Sequence, residues 1–238
     1  MKKIILLASA CLSLFAASDK EILDFYSSSV KAQFPDAKLS IVKREKVADT
    51  GFESVVLSIE VQGAKQEEVL FTKDNLIVPD IIDLKAKTSY RQEFEIKKFE
   101  EARENFSKNA KKEAQKEKMI ISLGDKNKQP SIYVFSDPEC PYCIEQLKNI
   151  EEELKTKQIN LILTPVAHGK SAFEKSALIY KESKNAKTDA EKLAILRKYF
   201  DPTLKDYPKI SEAETKAVFE LYRKYRSLGL VATPTIIQ

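Results

Sequence analysis

The chain has 238 residues, of which 43% are hydrophobic and 32% are charged, a composition typical of soluble globular proteins with one or two domains. Its 40 basic and 36 acidic residues give a formal net charge of +4, and they are interleaved instead of forming a basic patch with aromatic residues. This balance excludes the electrostatic signature of nucleic-acid binding, so we expect no nucleic-acid partner.

The N-terminus has the pattern of a secretory signal peptide. In "MKKIILLASACLSLFAAS", two lysines precede an apolar run that ends in small residues suited to cleavage. The run is too short to span a membrane, which takes about 20 apolar residues. We therefore predict a signal peptide over residues 1–18 and export to the periplasm. A buried N-terminal helix and lipid attachment at Cys11 are the alternatives.

Residues 19–91 carry the signals of a small α+β domain. Apolar residues recur at helical spacing as far as Pro35, which ends the helix. Residues 55–61 alternate between apolar and polar side chains, as a half-buried strand does. The sequence "EEVLFTKDNLIVPDIIDL" indicates two strands joined by a Lys-Asp-Asn turn.

Residues 92–118 are predicted to form a linker helix. They are mostly charged and contain neither Gly nor Pro. A thin apolar stripe recurs at helical spacing, formed by Phe99, Ala102, Phe106, Ala110 and Ala114. A helix with so little to bury is better suited to connecting domains than to forming a core. A partner-binding helix is the alternative.

Residues 119–238 are predicted to form an α/β domain. Strand patterns occur in "MIISLG", "SIYVFSD" and "INLILTPV", with a helix from about Cys140 to Lys157 between the last two. This β-α-β order favours parallel pairing of those two strands. A helical insertion over about 171–228 follows, and the chain then continues into "GLVATPTIIQ", an apolar strand interrupted by Pro234.

The insertion contains three predicted helix starts with capping boxes, in which a hydroxyl group and a Glu three residues later satisfy free backbone N–H groups. The predicted boxes are Ser171/Glu174, Thr188/Glu191 and Ser211/Glu214. Four aromatic residues of the insertion are expected in the core: Phe173, Tyr180, Phe219 and Tyr222.

The cysteine pair, Cys140 and Cys143, admits three interpretations. A disulfide around two intervening residues constrains little of the unfolded chain, which disfavours a stabilising staple. A structural zinc site needs four ligands, and only His168 could add a nitrogen, so we expect no metal and no other cofactor. The third interpretation is a catalytic dithiol, and a pair that follows a strand in a β-α-β pattern is typical of a thioredoxin-like site.

Within a catalytic pair, the two cysteines have different positions. Cys140 lies at the predicted strand-to-helix turn, where free N–H groups and the helix dipole stabilise a thiolate. Pro141 is tolerated in the first helical turn because its missing N–H needs no partner there. Cys143 lies one turn further on and faces more inward. We therefore expect Cys140 to attack disulfides and Cys143 to resolve the mixed disulfide.

A second motif is "ATPT", in which Pro234 interrupts a strand pattern. Proline is disfavoured inside a strand, and a cis peptide at Thr233-Pro234 would account for its position. With this motif the chain resembles the bacterial periplasmic disulfide isomerases of the DsbC/DsbG type. "FSDPECPYC" is similar to that family's reactive motif, with Pro141-Tyr142 as in the DsbG branch, and "ATPT" is similar to its cis-proline loop.

The resemblance implies a cystatin-like N-terminal dimerisation domain, a linker helix and a thioredoxin-like domain that carries the helical insertion. Two chains then form a V-shaped homodimer through residues 19–90, and we expect the contact at the edge of the "SVVLSIEV" or "EEVLF" strand. The family has another strand and a helix after the cis-proline strand. Because this sequence ends at Gln238, we expect that part of the fold to be missing.

The resemblance also implies an activity. The reduced pair attacks wrong disulfides of misfolded exported proteins held in the cleft, and a membrane reductase of the DsbD type keeps the pair reduced. The residues implied in substrate binding are Pro141, Tyr142, Thr233 and Pro234. A disulfide oxidase of the DsbA kind and a holdase-type chaperone are the alternatives. The separate N-terminal domain favours the isomerase or reductase over a monomeric oxidase, and the cysteine pair favours it over a chaperone alone.

Three further polar residues are expected to have no role in the reaction. Asp137 and Glu139 could tune Cys140 or move protons, but a solvated loop is the simpler expectation. His168, in "AHGK", is expected to be a loop residue and not a catalytic base.

Overall fold

The structure, a computed structural model, describes residues 17–127, 130–166 and 169–238, and it divides into two compact units after Lys98. The predicted signal peptide lies outside the described residues except for its last two, and Cys11 lies outside them as well. Within the described ranges, no helix is long and apolar enough to cross a membrane.

The N-terminal unit packs one helix against an antiparallel sheet with strand order β1-β2-β3-β4. Its main elements are α1 (Asp19–Gln33), β1 (Lys38–Lys46), β2 (Glu53–Val61), β3 (Ala64–Lys73) and β4 (Leu76–Val78). A two-stranded ribbon follows, β5 (Ile82–Asp83) with β6 (Thr88–Ser89). Ser18 and Glu21 form a capping box at the start of α1, and Ile22 is fully buried between helix and sheet. The predicted helix, the strand over 55–61 and the hairpin are therefore present.

Strand β2 differs from the prediction in two respects. Residues 55–58 are all buried, so the middle of the strand is covered on both faces instead of being half-buried. The strand also lies between β1 and β3, so "SVVLSIEV" has no free edge, and that part of the predicted dimer contact is wrong. Strand β3 pairs with β4 only over residues 71–73. The part of β3 before residue 71 therefore has no neighbouring strand on the β4 side within the described sheet.

Helix α2 (Tyr90–Ala114) occupies the predicted linker, but its second half belongs to a core. Phe106 and Ala110 are buried, whereas Phe99 is 44% exposed. The Phe106 ring packs edge-on against Phe135, with 4.9 Å between the ring centroids. The prediction of a connector with little to bury is wrong for this half. The small side chain of Ala110 lets the helix backbone approach its neighbours closely, so the thin stripe still packs into a core.

The C-terminal unit is a mixed sheet with strand order β10-β8-β9-β7. Its strands are β7 (Ile121–Leu123), β8 (Ser131–Ser136), β9 (Gln158–Leu163) and β10 (Thr235–Ile237). Its helices are α3 (Pro141–Lys148), α4 (Ile150–Leu154), α5 (Lys170–Ser183), α6 (Asp189–Phe200) and α7 (Glu212–Ser227). Strands β8 and β9 are parallel, as predicted, and β10 runs antiparallel to β8. The unit is therefore a thioredoxin-like α/β fold with a helical insertion.

Side chains of this sheet point alternately into two cores. Val134 and Leu161 face the core that contains both cysteines and residues of α3 and α6. Phe135 and Ile162 face the opposite core, which contains residues of α2 and α7. The alternation along β8 and β9 follows from the two-residue repeat of a strand.

The helix predicted from Cys140 to Lys157 is instead two helices. Asn149 lies between α3 and α4 with φ −103° and ψ 8°, outside the helical region. The capping boxes at Thr188 and Ser211 are both present, as predicted.

The third predicted capping box, at Ser171, is wrong. Helix α5 begins at Lys170 with Gly169 as its N-cap, two residues before the predicted cap, and the Ser171 hydroxyl donates to Glu139 Oε2 at 2.9 Å. The Ser171 hydroxyl group therefore bonds to a residue distant in the sequence instead of capping the helix.

The aromatic residues of the insertion are only partly in the core. Phe173, Phe219 and Tyr222 form a cluster across α5 and α7, with ring centroids 5.7 to 6.0 Å apart. Phe219 is 44% exposed, so its expected core position is wrong. Tyr180 packs against both cores, and its hydroxyl accepts from the Leu163 N–H at 2.7 Å.

Candidate active site

The cysteine pair lies where the chain leaves β8 and enters α3. Cys140 is the N-cap residue with extended backbone, and Pro141 occupies the first helical position. An Asp137 carboxylate oxygen accepts from the Glu139 N–H at 2.9 Å, and the Asp137 carbonyl oxygen accepts from the Cys140 N–H at 3.2 Å. These bonds hold the turn so that Cys140 lies at the positive end of the helix, as predicted.

The thiol of Cys140 faces the loop before β10. Its Sγ donates to the carbonyl oxygen of Thr233 at 3.2 Å, and the Thr233-Pro234 peptide is cis, as predicted. The antiparallel pairing of Thr235 with Phe135 aligns this loop with the end of β8. The sheet register therefore brings together two motifs that are far apart in the sequence.

Cys143 is the more deeply buried of the two cysteines, 1% exposed against 7% for Cys140. Burial raises the pKa of the Cys143 thiol from 9.0 to about 12, and the hydroxyl groups of Ser136 and Thr233 oppose this rise by hydrogen bonding. Both cysteines are free thiols. Cys143 is therefore a neutral thiol at neutral pH, which suits a group that acts only after another has attacked.

Thr233 contacts both cysteines through different atoms. Its backbone carbonyl accepts from Cys140, and its side chain helps to lower the pKa of Cys143 against the effect of burial. One residue can thus act on the two thiols separately, the backbone on the first and the hydroxyl group on the second.

The expectation that Asp137 and Glu139 lie in a solvated loop is wrong. Asp137 is fully buried. Glu139 accepts from Lys175 Nζ at 2.9 Å with one carboxylate oxygen and from the Ser171 hydroxyl at 2.9 Å with the other. The Lys175 side chain is 5% exposed, so helix α5 buries a cation against the residue before Cys140.

The residues predicted to bind substrate surround the cysteine pair but differ in exposure. Tyr142 is 77% exposed and Pro141 is exposed as well, whereas Thr233 and Pro234 are half-buried. Their role in binding stays a prediction. His168, the candidate base and zinc ligand, lies outside the described residues.

Sequence reasoning missed Ser136 and Lys175. Ser136 is the last residue of β8. Its hydroxyl group, at the end of the strand that precedes the cysteine pair, could have been recognised from the sequence. Lys175 lies on an insertion helix among many charged residues, and nothing in its local sequence separates it from an exposed lysine.

No protein-family model and no curated protein matches the chain. Among solved structures, Helicobacter pylori DsbG is 21% identical, with 90% of this chain and 98% of that chain covered and a TM-score of 0.49. A linker-deletion variant of Proteus mirabilis ScsC is 18% identical, with 58% and 74% covered and a TM-score of 0.47. A periplasmic thioredoxin-like protein from Salmonella enterica serovar Typhimurium is 16% identical, with 50% and 77% covered and a TM-score of 0.37.

Proposed function

We propose that this chain is a periplasmic thiol:disulfide oxidoreductase that reduces or isomerises wrong disulfides in exported proteins. The observation that carries the proposal is the environment of the pair. Cys140 lies at a helix N-terminus against the Thr233 carbonyl, and Cys143 lies buried one turn behind it. A thiol at a helix N-terminus suits the attacking role, and a buried neutral thiol suits the resolving role.

In the proposed reaction, the Cys140 thiolate attacks one sulfur of a substrate disulfide. The substrate S–S bond breaks, the other substrate sulfur leaves as a thiolate, and a mixed disulfide forms with Cys140. Cys143 then loses its proton to the released thiolate and attacks Cys140 Sγ. The mixed disulfide breaks, the pair becomes a disulfide, and the substrate has gained two electrons.

Isomerisation needs only the first of these steps. If the released substrate thiolate attacks another disulfide of its own chain, a new substrate thiolate forms. When a substrate thiolate then attacks the mixed disulfide, Cys140 leaves as a thiolate and the dithiol is not consumed. A membrane reductase of the DsbD type would restore the pair after each full reduction.

The Thr233 backbone is suited to binding an extended substrate segment. When Cys140 becomes a thiolate, the donor to the Thr233 carbonyl disappears, and that oxygen can accept from a substrate backbone N–H instead. We propose that Tyr142, exposed beside the pair, contacts the same segment.

We also propose that two chains pair through residues 19–90. The part of β3 before residue 71 supports this contact, because it has no neighbouring strand on one side within the described sheet. A dimer would hold a misfolded chain between two reactive pairs. A monomeric oxidase of the DsbA kind is the second candidate, since the same dithiol chemistry runs in both directions.

The redox state of the pair in the cell separates these functions. Thiol alkylation of the exported protein, followed by gel mobility, would find Cys140 and Cys143 mostly reduced for an isomerase or reductase. A mostly oxidised pair would favour the oxidase. Refolding of a scrambled multi-disulfide protein then distinguishes an isomerase from a reductase, because only the isomerase restores native pairing without an added oxidant.

A further inference from the structure

The C-terminal unit contains a cavity of about 590 Å³ between the outer strand β7 and the helices of the insertion. Its lining includes the apolar side chains of Met119, Ile120, Ile121, Tyr180, Ile210 and Val218. A mainly apolar cavity of about 300 to 1,000 Å³ is large enough to hold a small-molecule ligand. None of the lining residues belongs to the candidate active site, so the exchange reaction does not account for this cavity.

The cavity has an excess of positive charge, because four lysines and one glutamate line it. The glutamate, Glu214, neutralises Lys181, and its carboxylate lies 2.7 Å from the Lys181 ammonium. Lys118 and Lys184 are exposed, and neither forms an ion pair within the described residues. Their ammonium groups are therefore available to an anionic group of a ligand.

The strand edge that forms one wall of the cavity already has side-chain partners. Strand β7 is the outer strand of the described sheet, and Lys192 Nζ donates to the Ser122 carbonyl oxygen at 2.7 Å. An Asp189 carboxylate oxygen accepts from the Gly124 N–H at 2.7 Å. A peptide strand added to β7 would need these same backbone groups for its own hydrogen bonds. The cavity therefore suits a small molecule better than an extended peptide.

Charge distinguishes this cavity from two others in the N-terminal unit, which have volumes of about 540 and 410 Å³. The larger is lined by both Lys65 and Glu68. The smaller is lined by Glu21, and no basic residue is among its described lining residues. Neither has an excess of positive charge, so an anionic ligand should prefer the C-terminal cavity.

We propose that the C-terminal cavity binds a small amphipathic anion, with a carboxylate or a similar anionic head group on an apolar body. The apolar body lies against the apolar lining, and its removal from water drives binding. The head group pairs with the ammonium of Lys118 or Lys184. The inference goes beyond the proposed exchange reaction and does not depend on it, because the cavity and the cysteine pair share no residue.

The test is an NMR titration of the full chain with isotope-labelled isoleucine methyl groups. Sodium decanoate is the probe, at concentrations below micelle formation, with decanol as its neutral counterpart and sodium acetate as the head group alone. Ile120, Ile121 and Ile210 line the proposed site. Ile59 and Ile77 line the two cavities of the N-terminal unit and serve as internal references.

Two kinds of variant examine charge and space separately. Lys118→Gln combined with Lys184→Gln removes the unpaired charge, and Lys216→Gln is its control, an exposed lysine of α7 that does not line the cavity. Ala217→Trp places a large side chain in the cavity. Ala190→Trp is its control, because Ala190 is exposed on α6 and lies outside the lining.

We expect decanoate to shift the three cavity methyl signals saturably, and decanol to bind about fivefold or more weakly because it lacks the charge. Acetate should cause no shift, since it has no apolar body. The double lysine variant should bind decanoate about as weakly as decanol, with its decanol affinity unchanged. Ala217→Trp should abolish binding of both probes, and the two control variants should bind as the parent does.

Several results would overturn the proposal: no saturable shift at the cavity, equal affinity for decanol and decanoate, or an unchanged decanoate affinity in the double lysine variant. Shifts confined to Ile59 and Ile77 would place the binding elsewhere and would overturn it as well. If Ala217→Trp fails to unfold cooperatively in urea, the double lysine variant still decides, because it alters only exposed side chains. Disulfide reduction by the chain enters none of these outcomes, so the proposed function stands or fails separately.

Discussion

The carbonyl oxygen of Thr233 accepts a hydrogen bond from Cys140 Sγ at 3.2 Å, although the two residues are 93 positions apart in the sequence. The Thr233 side chain also lowers the pKa of the second thiol, Cys143. In the proposed reaction, Thr233 therefore acts on both the nucleophile and the resolving thiol and also binds the substrate backbone.

The first prediction concerns the order of attack. Cys143→Ser should accumulate a mixed disulfide between Cys140 and a scrambled substrate protein, because the thiol that would resolve it is absent. Cys140→Ser should trap little, since the remaining thiol is buried and neutral. Non-reducing gels after acid quenching measure both. Equal trapping by the two variants would show that the assigned roles are wrong.

The second prediction concerns stability at alkaline pH. Because the pKa of Cys143 rises from 9.0 to about 12 on folding, the unfolded chain loses its proton first as the pH increases. The free energy of unfolding of the reduced protein should fall above pH 9, by at most about 1.4 kcal/mol per pH unit from this group. Cys143→Ser should lack that component.

Urea unfolding in the presence of a reductant, from pH 7 to 10.5, measures this difference. Buried tyrosines whose pKa values are also raised, Tyr180 and Tyr225, contribute to the pH dependence in both proteins and cancel in the comparison. Parallel curves for the two proteins above pH 9 would contradict the assignment of Cys143 as a desolvated thiol.

The third prediction separates the two contacts of Thr233. Thr233→Val removes the hydroxyl group but keeps the shape and the backbone carbonyl. Because the Thr233 side chain favours the Cys143 thiolate, its loss should slow the attack of Cys143 on the mixed disulfide, by about fivefold for an effect of about 1 kcal/mol. Alkylation of Cys140 should not change. Rapid mixing with acid quenching measures the first rate, and a slower Cys140 reaction would contradict this division of roles.

Thr164→Val is the control for that variant. The Thr164 hydroxyl is buried and has no hydrogen-bond partner within the described residues. Its removal should leave both rates unchanged and should not lower the free energy of unfolding, because no hydrogen bond is lost.

The fourth prediction concerns the dimer. Sedimentation velocity should find the full chain as a dimer and a variant that starts at Phe94 as a monomer. The shortened chain should still reduce glutathione disulfide, because Cys140 and Cys143 lie in the other compact unit. It should lose most isomerisation of a scrambled protein, and a monomeric full chain would instead favour the oxidase.

Local patterns in the sequence sufficed for much of the fold. The β-α-β order, Cys140 at the helix start and two capping boxes are set by residues within a few positions of each other. The cis peptide before Pro234 was likewise predictable, because proline is excluded from an ordinary strand interior.

The errors arose where a distant partner overrides the local pattern. Ser171 is a good capping residue by its sequence, but its hydroxyl group binds Glu139, 32 residues away. Phe106 and Ala110 belong to a stripe that looked too thin for a core, and the opposing surface of Phe135 and Tyr225 supplies the contact. Such partners become visible only when the chain is folded.

The central claim is that Cys140 and Cys143 form one exchanging pair, and equilibrium with glutathione tests it most directly. The reduced full chain is incubated at a series of glutathione to glutathione-disulfide ratios, quenched with acid and analysed by mass spectrometry. We expect one transition from the dithiol to the Cys140–Cys143 disulfide, with the two-electron dependence of about 30 mV for each tenfold change in the equilibrium constant. Accumulation of glutathione adducts without the internal disulfide would contradict the account.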